Sequence, residues 1–200
     1  MPSAHEHLEH AEHAKHAASE NRKIALVIAV LALFLSFSET LGKGAQTEAI
    51  DASVKSSDTW AFYQAKDIRR TVLNSSADQT ALLTANTTDP AVKAAIEKQI
   101  AGWRQTAARY DSDPKTGEGR KELAERARDQ EEERDLDLAK YHHYEISSAA
   151  FQVGIVLASA AVITGIVALA WFGGALGLVG VALLMFGLYA PHAVPLLSAV

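Results

Sequence analysis

The chain contains no cysteine, and from Ile146 to Val200 it contains no aspartate, glutamate, lysine or arginine. The first absence removes disulfides, thiol nucleophiles and cysteine-ligated metals, and it leaves the redox compartment open. The second removes the charged face that a globular helix turns to water, over a stretch far longer than one buried helix. Aromatic residues are few, at 7%, and no alternation of apolar and polar residues marks a strand. No Ser-His-Asp, phosphate-loop, dinucleotide-binding or zinc-hydrolase motif occurs, so an enzyme is not the expectation and no cofactor is implied.

What is present falls into two populations that a mean hydropathy of +0.01 conceals. The ends are apolar and the centre is polar. Residues 42–145 carry 16 lysines and arginines against 19 aspartates and glutamates. This near-neutral, mildly acidic balance excludes a nucleic-acid footprint.

A spanning helix needs roughly 20 apolar residues. The run Ile24 to Leu41, entered through Arg22 and Lys23, meets this closely. A cleaved signal peptide is the rival reading and not the expectation, because the tail before the run is long and acidic and the run ends in Ser-Glu-Thr-Leu-Gly-Lys rather than a small-x-small site. The C-terminal uncharged stretch far exceeds one crossing, and Gly173-Gly174 is its natural break. The sequence therefore predicts an all-α membrane protein with three transmembrane helices and a helical extramembrane head inserted between the first and second. Its parts are a His/Glu-rich tail (1–23), a first transmembrane helix (24–41), the head (42–145), a second transmembrane helix (146–172), a turn (173–174), a third transmembrane helix (175–190) and a C-terminal segment (191–200). Trp171 and Tyr189 suit the two interfaces; Arg22 with Lys23 argues for an inside N-terminus, whereas Lys140 before the uncharged stretch argues for an inside head, so the orientation stays open.

Small residues recur at spacings of four and three along the candidate spans: Ala25, Ala29, Ala32 and Ser36; Gly154, Ala158, Ala161, Gly165 and Ala168; Gly173, Gly177, Gly180 and Gly187. Such stripes let helix backbones approach closely where no hydrophobic force drives helices together, so they predict packing faces within a protomer or between protomers. Glu39 ends the first stripe. An ionisable residue there is either an interface anchor reaching Lys43 and water or a buried polar contact.

The centre reads as helix. Ile50, Val54, Ala61, Ala65, Ile68 and Val72 follow helical spacing, as do Val92, Ile96, Ile100, Trp103, Ala107 and Tyr110. Asp89-Pro90 predicts an N-cap and first helical residue, and Asp111 to Gly119 a second loop. Beyond it a charged helix carries Glu122 with Arg126 and Arg128 with Glu132 as i,i+4 pairs. Trp60, Phe62 and Tyr63 are either contacts for a partner or part of the head's own core. His142 and His143, beside Tyr141, Tyr144 and Glu145, read as an interfacial belt.

The tail places five histidines within residues 5–16. His7, His10, His13 and His16 lie three apart, close enough on a helix to share a metal ion or to sense pH. A three-residue repeat drifts around a 3.6-residue helix, which favours a solvated tail instead.

The runs NRKIALVIAVLALFLSFSETLGKGAQTEAI from Asn21, WAFYQAK from Trp60 and FQVGIVLASAAVITG from Phe151 together resemble an uncharacterised bacterial membrane-protein family, known only as a domain of unknown function. The resemblance implies a multi-pass protein of the bacterial inner (plasma) membrane and supplies no catalytic residue, substrate or cofactor. The expected role is structural: a homo-oligomeric scaffold or an accessory subunit, with the lipid bilayer, a second copy and a membrane-complex partner as its contacts. A small channel or transporter accessory, and tail-mediated metal or pH sensing, are the alternatives.

Overall fold

The computed structural model describes the backbone of residues 4–84 and 87–191, with side chains from Asn21 onward. The described residues form four helices, α1 (Ala4–Thr84), α2 (Pro90–Asp111), α3 (Arg120–Thr164) and α4 (Val167–Tyr189), and no strand. The chain divides into two compact units. One comprises Met1–Ala49 with Asp135–Val200, and the other is Ile50–Arg134. Three helical stretches are long and apolar enough to cross a membrane: Asn21–Thr84, Arg120–Thr164 and Val167–Tyr189.

The first unit packs α1, the C-terminal part of α3, and α4. On α3 the inward positions are Ser147, Phe151, Gly154, Ala158 and Ala161; on α4 they are Gly173, Gly177, Gly180, Leu184 and Gly187. Both series alternate steps of four and three, the spacing that keeps one narrow seam facing a partner helix. Leu31, Phe151 and Leu184 form the buried cluster, with Phe34, Leu35, Ile155 and Val181 against it. The rings of Phe34 and Phe151 stack with centroids 5.8 Å apart.

The turn between α3 and α4 corrects the expected break at Gly173-Gly174. It falls at Gly165, whose φ is +73°, a left-handed conformation that costs glycine nothing. The Gly165 N–H donates to the Ala161 carbonyl at 2.9 Å, which closes α3 as glycine closes many helices. The Thr164 hydroxyl accepts from the Ile166 N–H at 3.3 Å, and α4 starts at the next residue. Gly173 and Gly174 lie inside α4, so the third candidate span runs Val167–Tyr189 rather than 175–190, and the second ends at Thr164 rather than 172.

In the second unit, residues of α1 pair with α2 and with the start of α3. The seam of α1 here runs through Ala52, Ser56, Thr59, Tyr63, Lys66, Arg70, Leu73, Ala77 and Thr84, with Trp60, Ala65, Asp67, Asn74, Ser76 and Thr80 half-buried beside it. The residues that carry the helical spacing lie mostly outside: Ile50, Val54, Ala61, Ile68 and Val72 are exposed and Ala65 is half-buried. On α2 the expected face does point inward from Ile96 to Tyr110, with Ile100 and Ala107 buried. The Asp89 carboxylate accepts from the Ala91 N–H at 2.8 Å and caps α2 ahead of Pro90.

Candidate functional site

In the first unit the contact between α3 and α4 is built on glycine. A Cβ on Gly154 would lie 2.8 Å from the Gly173 carbonyl oxygen, and one on Gly173 would lie 2.6 Å from the Gly154 carbonyl oxygen. The two backbones therefore touch directly, a distance that only glycine permits. Further along, a Cβ on Gly180 would meet the Phe151 ring at 2.8 Å, and one on Gly187 would meet the Tyr144 ring at 2.7 Å. Gly177 faces the Leu31 side chain of α1.

Backbone carbonyls left accessible by this close approach accept bonds from small hydroxyls. Ser147 Oγ donates to the Gly180 carbonyl at 2.7 Å, linking α3 to α4. Ser38 Oγ donates to the Tyr144 carbonyl at 2.8 Å, linking α1 to α3. Both serines are wholly buried, where a hydroxyl without a partner is costly. Neither was singled out from the sequence, although Ser38 directly precedes Glu39, which was. His143 corrects the belt reading: it is fully buried, with Nε2 3.1 Å from the Pro191 carbonyl oxygen.

The structure brings Gly154, Ala158, Ala161, Gly173, Gly177 and Gly180 to these helix contacts. It does not bring Ala29, Ala32 or Ser36 there, because all three are exposed on the opposite side of α1. The inward face of α1 runs through Leu31, Leu35, Ser38, Gly42, Ala45 and Ala49. Gly165 serves the turn and packs against nothing. Glu39 is exposed and accepts from the Gln152 amide at 3.5 Å; it borders an open cleft of about 410 Å³ shared with Lys43, Tyr141 and Glu145.

In the second unit Trp60, Phe62 and Tyr63 are tied into contacts of their own unit. Trp60 Nε1 donates to Glu131 at 2.8 Å and meets the Tyr63 ring edge-on at 5.3 Å. The Lys66 ammonium sits 5.0 Å from the centroid of Phe62 and 5.2 Å from that of Tyr110, and pairs with Glu118 at 3.4 Å. Arg120 lies over Tyr63 and bonds Asp67, with Asp111 3.9 Å away. The Lys121 ammonium, bonding Asp111 at 3.2 Å, holds that carboxyl below its ordinary pKa, with Arg70 and Arg120 adding to the effect.

Glu122 does not use Arg126 as the i,i+4 spacing predicts. It accepts from Ser112 Oγ at 2.6 Å and from the Asp113 N–H at 3.2 Å, and the Ser112 bond leads the causes that lower its pKa. Arg126 instead donates to the Gly117 carbonyl at 3.1 Å. The 112–119 loop is thus folded back onto the first two turns of α3.

No cluster of three or more His, Asp or Glu side chains placed to hold a metal occurs among the described residues. His7, His10, His13 and His16 lie outside the residues whose side chains are described.

Residues 20–190 match the family described as a domain of unknown function (DUF4337). The chain belongs to that family. No curated protein and no solved structure matches it. The match covers both units of the DUF4337 fold, so the glycine contacts and the charged loop lie within one family domain.

Proposed function

We propose that this DUF4337 chain is an integral protein of the bacterial inner membrane with a structural role. In this reading three spans carry a helical head inserted between the first and second, and the assembly is a self-associating scaffold or an accessory subunit of a membrane complex. The observation that supports it is the direction of the large apolar side chains. In the first unit Ile163, Trp171 and Leu178 are 85%, 77% and 74% exposed, while glycine, alanine and serine make much of the contact between helices around the small cluster of Leu31, Phe151 and Leu184. Water would not tolerate that surface, whereas hydrocarbon solvates it without cost, and large-outside with small-inside is the arrangement expected of helices in lipid.

The second unit exposes a different apolar face, on α1. Ile68 and Val72 are 64% and 57% exposed, and Ile50 and Val54 share their face. This unit carries many charges and is too polar for lipid, so its apolar face suits a protein surface, and a second copy supplies the same face by two-fold symmetry. The exposed stripe Ala29, Ala32 and Ser36 favours the same outcome, since small residues unused inside the protomer remain open to another helix. Mass measurement of the full chain in mild detergent tests this. The expected result is a multiple of 21.4 kDa that drops when Ile68→Glu and Val72→Glu are combined. A wild-type monomer at all concentrations would remove the self-association reading.

A further inference from the structure

Between α1 and α4 of the first unit runs a groove in two stretches. One, of about 440 Å³, is lined by Lys23, Ile24, Val27, Val167, Trp171 and Gly174. The other, of about 280 Å³, continues past Val30, Phe34 and Val181 and shares Val27 and Gly174 with the first. Among the described residues Lys23 is the only charged side chain lining either stretch, and it stands at one end. From Lys23 to Phe34 the helix rises about 16 Å, roughly half of a ~30 Å hydrocarbon core and hence the depth of one leaflet.

The floor of the groove holds an unexplained glycine. Gly174 sits in mid-helix, where glycine is the least favourable residue after proline. A Cβ placed on it would have no heavy atom within 4 Å. Its neighbour Gly173 is required by the touching backbone of Gly154, but nothing among the described residues requires Gly174 to lack a side chain. The missing side chain leaves the groove open at the point where its two stretches join.

We propose that this groove is a binding site for an anionic phospholipid. One acyl chain lies along Val27, Gly174, Val30 and Phe34, and the phosphate sits at the Lys23 ammonium beside Trp171. The length matches one leaflet. The walls are apolar throughout, and the single cation is placed where the headgroup of a chain so inserted would be. A cation that meets phosphate at the membrane surface discriminates anionic from zwitterionic lipid, and an indole at the same level suits the interface.

The inference rests on the membrane reading, and the test separates the two. The full chain is first extracted from membranes with alkaline carbonate and with mild detergent; release by carbonate alone would overturn both readings. The detergent-purified protein is then mixed with phosphatidylglycerol or phosphatidylcholine and examined by native mass spectrometry. The expected result is a one-to-one adduct with phosphatidylglycerol. Gly174→Leu, whose Cβ meets no described atom within 4 Å and whose branches extend into the groove, abolishes that adduct, and Lys23→Gln reduces the preference for phosphatidylglycerol about fivefold, the weight of one basic residue near an anionic surface. Equal adducts with both lipids, or an undiminished phosphatidylglycerol adduct in Gly174→Leu, would overturn the proposal. So would a Gly174→Leu protein that keeps its lipid but loses its oligomeric mass, which would give the groove to a second copy.

Discussion

Replacing Gly173 by alanine, with the same change at Gly174 as its control, isolates the backbone contact between α3 and α4. A Cβ at Gly173 would stand 2.6 Å from the Gly154 carbonyl oxygen and 3.3 Å from the Ala158 nitrogen. Ordinary contact begins near 3.4 Å, so the helices must part by about 0.8 Å at that level. Neither obstacle is the end of a pliable side chain; both are backbone. A gap of 0.5–1 Å forfeits about a quarter to a half of each dispersive contact it opens, and Gly180 against Phe151 and Gly187 against Tyr144 lie on the same seam. If the separation reaches Ser147, its 2.7 Å bond to the Gly180 carbonyl lengthens to about 3.5 Å, the limit of a hydrogen bond. The expected loss for Gly173→Ala is therefore about 1–3 kcal/mol, the usual range for overpacking. Gly174→Ala meets nothing within 4 Å and sheds backbone entropy, so it should be neutral or up to about 1 kcal/mol more stable. Reversible unfolding by SDS titration in mild detergent, followed by circular dichroism, reads the difference. Equal stability of Gly173→Ala and wild type, or equal loss at both positions, would refute the claim that the two backbones touch.

Two further predictions concern the turn and the charged loop. Gly165→Ala should cost about 1–2 kcal/mol through its left-handed φ of +73° rather than through crowding, because a Cβ there meets open space; in the same SDS titration Gly165→Asn, which tolerates that conformation, should lose less than Gly165→Ala. The pKa values of Glu122 and Asp111 are both lowered in the folded protein, so their contribution is complete above the ordinary carboxylate range and is lost as pH falls through the folded values. Thermal melts between pH 6 and pH 3 should show a falling midpoint, with a shallower slope in Glu122→Gln; a slope unchanged by that substitution would detach Glu122 from the acid response.

The number of long apolar helices was legible because charge is so sharply partitioned along the chain, and the start of α2 because Asp89-Pro90 carries a cap and a first-turn proline together. The turn between α3 and α4 was misplaced for a physical reason. Glycine punctuates helices in water, where freed backbone groups find new partners, but in an apolar setting each N–H is safest in its own helix and a glycine pair breaks nothing. Length was the usable signal: a break at 173–174 leaves 16 residues for the last span, fewer than the roughly 20 a crossing needs, whereas a break at Gly165 yields the 23 of α4. In the second unit the core face was sought by hydrophobicity. The inward face there carries Ser56, Thr59, Tyr63, Lys66 and Arg70: Thr59 donates to Gln130, the Tyr63 ring lies under Arg120, Lys66 pairs with Glu118, and Arg70 pairs with Asp67 and Asp111.

A common spacing underlies both units even though their side chains differ. On α1 the inward positions of the first unit step through Leu31, Leu35, Ser38, Gly42, Ala45 and Ala49, and those of the second through Ala52, Ser56, Thr59, Tyr63, Lys66, Arg70, Leu73 and Ala77. Every step is four or three, an average of 3.5 residues, the period at which one face of a helix keeps meeting a neighbour that winds with it. Spacing thus sets which positions are inward, and residue type sets how the neighbour is met: Gly154 and Gly173 bring backbones into contact in the first unit, while in the second Thr59, Lys66 and Arg70 reach polar partners on the facing helices and loop. Polarity then decides only what covers the outside. This is why hydropathy located the candidate spans yet does not by itself mark the inward face of α1, where Ile50, Val54, Ile68 and Val72 lie exposed while Ser38, Ser56 and Ala77 are buried.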